Sequence, residues 1–207
     1  MDPASPSDLP DNCSSCPPCP EALLSLAAGS VLSVLKCPPP PPTFFSSSLL
    51  LSSSSDPHLS SSPTEQQQPS LVHFLRNICV KAAVTELALI ISLIYVNRLK
   101  KVLTTMARGD PDTPFKIILS ALLVVKKFLE EDCVGLNRLF SKITNGLYTL
   151  RDINTMERSF LGLLKFSLFV TEEEVASFIQ CHQKELHGLD ILQYSKPRSA
   201  CEFNVDP

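Results

Sequence analysis

The chain has 207 residues and a formal net charge of −3 at pH 7, room for one ordinary domain with a substantial tail or for two very small domains. Residues 1 to 70 hold 14 of its 18 prolines, 18 serines and a net charge of −5, which leaves +2 for residues 71 to 207. Neither part concentrates Lys and Arg on the scale that phosphate neutralisation requires, so no nucleic-acid partner is expected.

Taken in chain order, residues 1 to 70 come first, and they read as a disordered Ser/Pro-rich tail. Such a composition cannot bury enough apolar surface to offset the entropy of ordering its backbone. CSSCPPC offers Cys13, Cys16 and Cys19, but the next cysteine is Cys37 and no histidine pair is nearby, so reduced thiols are expected and no metal. ALLSLAAGSVLSVL, 22 to 35, is too short to span a bilayer and reads as a transient helix or a docking segment. The chain opens on MDPASPSDLPD, acidic where a secretory leader is basic. The expectation is therefore a soluble protein of the nucleus and/or cytoplasm, with no membrane partner.

From residue 71 the pattern turns helical. LVHFLRNICV, 71 to 80, has one apolar side, and Thr85 caps a longer helix that runs to Lys101. ARGDPDTP, 107 to 114, is a loop; Thr113 is predicted to cap the next helix with Pro114 in its first turn. That helix, FKIILSALLVVKKFLEED, is apolar all round and is expected at the centre of the domain. A short amphipathic helix, VGLNRLFSKI, leads to a turn at Asn145-Gly146. LRDINTMERSFLGLLKF, 150 to 166, then carries a stripe of Ile153, Met156, Phe160, Leu163 and Leu164. Thr171 and Glu174 have the spacing of a capping box at the start of the last helix. Strand alternation is absent, so the domain is expected to be all-α, six helices over 71 to 180, followed by a helix end and flexible tail over 181 to 207.

Charged residues sit at two apolar margins. In SALLVVKKFLEED, Lys126 and Lys127 follow a long apolar run with no break in the helix. Glu157 has Ile153, Phe160, Leu161 and Leu164 as helical neighbours, so its carboxylate must be paired or lie where another molecule covers it. Two plain readings stand beside a docking site: exposed pairs Lys126 with Glu130 and Lys127 with Glu131, or an internal bridge between Lys127 and Glu157.

The order of these segments resembles the cyclin box, most closely the fungal Pcl-type cyclins, over residues 71 to 180. IYVNRLKK is similar to the family's second helix through Tyr95, Asn97 and Arg98, SALLVVKKFLEED to its third, and INTMERSFLGLLKFSLFVTEEE to its fifth. The resemblance implies a five-helix cyclin fold plus a flanking helix. It also implies a regulatory subunit that binds and activates a cyclin-dependent protein kinase in cell-cycle or phosphate signalling, with no catalysis and no cofactor of its own. Aligning the motifs carries the family's kinase-binding lysine and glutamate onto Lys127 and Glu157, with Leu123, Val124, Phe160 and apolar residues of 71 to 80 around them. Two departures stand out: Lys126 occupies a position usually small, and must point outward or alter the contact, and Phe140 replaces a tryptophan. Ser5-Pro6 and Ser62-Pro63 make Ser5 and Ser62 phosphorylation candidates for a proline-directed kinase. The rival reading is a helical adaptor or cyclin-like transcription factor without a kinase partner.

Overall fold

A computed structural model describes residues 19–38, 70–104, 106–131 and 133–186. Among them lie seven helices: α1 (Glu21–Leu32), α2 (Leu71–Lys81), α3 (Glu86–Val102), α4 (Thr113–Leu129), α5 (Leu136–Ile143), α6 (Leu150–Leu163) and α7 (Glu172–Cys181). The all-α class expected from the sequence is observed, and the one strand-like feature among these residues is an isolated parallel bridge between Lys36 and Arg108.

Local chemistry sets most of the helix starts. The Thr85 hydroxyl accepts from the Ala88 N–H at 3.2 Å, and Ser70 does the same for His73 at the start of α2. Full capping boxes open α6, from Thr149 and Asp152, and α7, from Thr171 and Glu174. The start of α4 differs by one residue from expectation. Thr113 is already helical, Asp112 stands at the cap without a side-chain cap bond, and its carboxylate instead pairs with Lys116 at 2.6 Å.

The core is built around α4, which buries Pro114, Phe115 and every residue from Ile117 to Lys126. A helix apolar on all sides is stable only when neighbours cover its whole circumference, and α1, α2, α3, α5 and α6 all pack on it. Its largest contact is with α3, itself buried without a break from Ala88 to Val96. No helix among the described residues is long and apolar enough to cross a membrane.

One expectation is corrected over residues 19–38, read from sequence as part of a disordered tail in which 22 to 35 forms a transient helix or a docking segment. Glu21–Leu32 is a helix of the core, with Leu23, Leu24, Ala27, Ala28 and Val31 buried against α2, α3 and α4. Positions 23, 24, 27, 28 and 31 repeat on one helical face, and the alanines among them let α1 approach its neighbours closely. The rest of the expected tail, with Ser5 and Ser62, and the C-terminal stretch from residue 187 lie outside the described residues.

At the far end of α6 the chain reverses without a glycine. Lys165 and Phe166 take φ of 52° and 58°; Phe166 N–H bonds the Leu161 carbonyl at 3.0 Å and Lys165 N–H that of Gly162 at 3.1 Å. This is a Schellman closure in which side-chain-bearing residues occupy the left-handed region.

Candidate functional site

Lys127 and Glu157 meet across the α4 and α6 packing. Helix α4 exposes Lys127 at the point where its buried run ends, and α6 presents Glu157 one turn beyond the buried Ile153. The ammonium Nζ donates to Glu157 Oε1 at 2.7 Å. The other carboxylate oxygen, Oε2, accepts from Asn137 Nδ2 of α5 at 2.7 Å, and the same Nδ2 donates to Asn154 Oδ1 at 2.6 Å. Three helices thus hold one carboxylate in place.

The pair is half-sheltered, with side chains 30% exposed for Lys127 and 14% for Glu157. An ammonium has three N–H donors and a carboxylate about four acceptor positions, so the bonds described leave capacity on both groups. Of the readings open from sequence, Lys127 takes Glu157 as its partner and not the i,i+4 position at Glu131. Lys126 goes inward. It is buried, its Nζ pairs with the Glu130 carboxylate and reaches the Ala83 carbonyl at 3.5 Å, tying the end of α4 to the turn after α2.

Three residues expected around the pair as contacts, Leu123, Val124 and Phe160, are buried in the core. They lie one turn back from Lys127 or one turn on from Glu157, where the mutual packing of α3, α4, α5 and α6 encloses them. Most of the apolar side of α2 is likewise interior: Leu71, Phe74, Leu75, Ile78 and Cys79 are buried. Exposed apolar side chains near these residues in the chain include Phe128 and Leu129, directly after Lys127, Val134 in the loop before α5, and Val80 at the end of α2, three residues before the Ala83 that Lys126 reaches.

Two polar groupings escaped sequence reading. Asn137 had no motif to mark it; the only available signal was that a half-buried carboxylate needs more than one partner. The second is Arg98, singled out by resemblance but without a local task. Its guanidinium donates to the Ser167 carbonyl at 2.7 Å, the Phe169 carbonyl at 2.8 Å and both Glu174 oxygens at 2.9 Å. The Tyr95 hydroxyl donates to the Leu168 carbonyl at 2.6 Å beside it. Together they fasten the extended segment between α6 and α7 to α3, and the Arg98 hydrogen bond holds the Glu174 carboxyl below the usual range. Burial pushes the Tyr95 phenol up to about 12, so its hydroxyl remains a donor at any physiological pH.

Among the described residues no three His, Cys, Asp or Glu side chains gather into a possible metal site; Cys13 and Cys16 lie outside them.

The family description that matches this chain is that of the cyclin N-terminal domain, over residues 44–169, so α1 precedes the matched stretch. Three curated relatives come from Saccharomyces cerevisiae. PHO85 cyclin-1 is 37% identical over 112 residues, 54% of this chain and 40% of that protein. PHO85 cyclin-9 is 29% identical over 107 residues, 52% of this chain and 35% of the relative. PHO85 cyclin-2 is 25% identical over 133 residues, 64% and 42% respectively. The chain therefore spans between 35% and 42% of the length of these relatives. No solved structure matches it.

Proposed function

This chain belongs to the cyclin family, and from that premise we propose that it is the regulatory subunit of a cyclin-dependent serine/threonine kinase, in cell-cycle or phosphate signalling in the nucleus and/or cytoplasm. The observation that carries the reading is the Lys127 and Glu157 pair: 2.7 Å apart, held from below by Asn137, yet partly open. Opposite charges fixed side by side at a helical margin offer a carboxylate to main-chain N–H groups and an ammonium to carbonyls, the two things a docking peptide backbone presents. Exposed Phe128, Leu129 and Val80 supply apolar contact around them, in place of the buried residues first expected.

The cyclin itself performs no chemistry in this scheme. It binds the kinase conformation in which the catalytic Lys and Glu and the activation segment are aligned, and its extra affinity for that state is the free energy that activates the enzyme. Ser5 and Ser62, each followed by proline, are candidate substrates of the bound kinase itself.

The test is reconstitution. The purified chain should co-purify with a cyclin-dependent kinase and raise its phosphotransfer activity, while Lys127→Ala and Glu157→Ala each abolish binding and keep a helical far-UV CD spectrum. A normally activated kinase with either variant would overturn the site. A chain that binds none of the organism's cyclin-dependent kinases would favour the adaptor reading instead.

A further inference from the structure

Two cysteines that the docking site does not use come together where α1 meets α2. Cys19 lies just before α1 and Cys79 in the last turn of α2; both are buried, and α1 packs on α2. They share a neighbour. The Cys19 thiol donates to the Val84 carbonyl at 3.3 Å, while the Val84 N–H donates to the Cys79 carbonyl at 2.9 Å. No described cysteine is in a disulfide.

We propose that Cys19 and Cys79 form a peroxide-responsive disulfide that staples α1 to the rest of the helical domain. The chemistry suits the unequal settings of the two sulfurs. A hydrogen bond from the Cys79 side chain holds the Cys19 thiol below the ordinary range, against the opposing effects of burial and of the Glu86 carboxylate. Cys19 is also the less buried of the two, at 8% against 4% exposed. The Cys19 thiolate attacks a hydroperoxide: a sulfur–oxygen bond forms, the oxygen–oxygen bond breaks, and the departing hydroxide takes up a proton as water. The Cys79 sulfur, already a hydrogen-bond partner, then attacks the Cys19 sulfenic acid; the sulfur–sulfur bond forms, the sulfur–oxygen bond breaks, and a second water leaves. In sum, two thiols and one hydrogen peroxide give one disulfide and two waters, and a thiol reductant reverses the step.

The bridge matters because α1 is joined to α2 by the long connection from residue 33 to residue 70 and is otherwise held by non-covalent contacts: packing, the Glu21 to Arg76 ion pair, the Lys100 hydrogen bond to Ser33 at its C-cap and the Lys36 to Arg108 bridge just beyond. Closing so long a loop restricts the unfolded chain strongly and makes the attachment of α1 covalent.

The experiment uses the full reduced chain and hydrogen peroxide as the only oxidant, with alkylation and tryptic mapping without reductant. Cleavage after Lys36, Arg76 and Lys81 puts Cys19 in the peptide 1–36 and Cys79 in Asn77–Lys81. The expected product is those two peptides joined, still joined in a Cys13→Ser, Cys16→Ser variant, with Tm raised by about 5–10 °C on oxidation and restored by dithiothreitol. In Cys79→Ala the rise should vanish. A Cys79 that remains alkylatable after peroxide treatment, a bridge from Cys19 to Cys16, or a joined product lost in the Cys13→Ser, Cys16→Ser variant would each overturn the proposal. The mapping of the unaltered chain decides this even if Cys79→Ala fails to fold.

Discussion

Removing the Glu157 carboxylate separates a docking group from an internal strut. Glu157→Ala takes from Lys127 and from one Asn137 N–H the partners they now meet at 2.7 Å. Breaking one side of a fully buried ion pair costs ~3–5 kcal/mol, whereas a surface pair contributes ~0–1 kcal/mol. Lys127, 30% exposed, can swing into water, and Asn137 keeps its bond to Asn154, so the expected loss lies between these limits, at about 1–2 kcal/mol. In a domain of this size that lowers Tm by roughly 3–8 °C. Urea unfolding of the isolated chain, followed by far-UV CD for Lys127→Ala, Glu157→Ala and the double variant, should give a coupling energy of about 0.5–1.5 kcal/mol. Kinase affinity should fall much further, by about 30-fold to 1,000-fold, because a partner's backbone would lose the carboxylate at the centre of its contact and meet a Lys127 no longer held in place. A stability loss above about 4 kcal/mol together with unchanged kinase affinity in the folded fraction would refute the reasoning and make the pair a strut.

The other predictions concern the scaffold that holds the site. Leu24→Ala in α1 should destabilise the chain by about 2–4 kcal/mol in urea unfolding, since Leu24 is buried; an unchanged midpoint would mean that α1 lies outside the cooperative core. Arg98→Gln should change the response to acid. The folded-state pKa of Glu174 is depressed, chiefly by Arg98, so the pair adds stability above the unfolded value near ~4.3 and loses it as pH falls through the folded value. The variant should therefore start from lower stability at neutral pH and show a shallower decline between about pH 5 and pH 3, and an identical acid profile would contradict the assignment. Lys165→Gly should raise stability by about 0.5–1 kcal/mol, because its φ of 52° is one that glycine adopts without a Cβ clash; a loss of stability would argue against that closure of α6. Tyr148→Phe should be neutral or stabilising by about 1 kcal/mol, since the buried Tyr148 hydroxyl has no hydrogen-bond partner among the described residues; a loss above ~1 kcal/mol would show that it has one.

The helices from residue 71 onward were legible because each carries its own signal in adjacent residues. Thr85 and Thr171 cap their own backbones, and the unbroken apolar run of α4 can only be a buried helix. For α1 the sequence offered a transient helix or a docking segment over 22 to 35, and its stable place in the core was missed for the converse reason: its period of apolar and small residues is ordinary, and what makes it a stable helix is the surface of α2, α3 and α4, which no local window contains. The site divides along the same line. That Lys127 and Glu157 required partners followed from charges placed beside apolar residues, a matter of sequence alone. Which partner each takes did not. Lys127 had Glu131 available one turn away and reaches instead across to α6, Asn137 arrives from a third helix, and Leu123, Val124 and Phe160 turn out to be interior. Periodicity assigns a side chain to a face of its own helix, but only the packing of several helices decides whether that face meets water, a neighbour, or a cation 30 residues away in the chain.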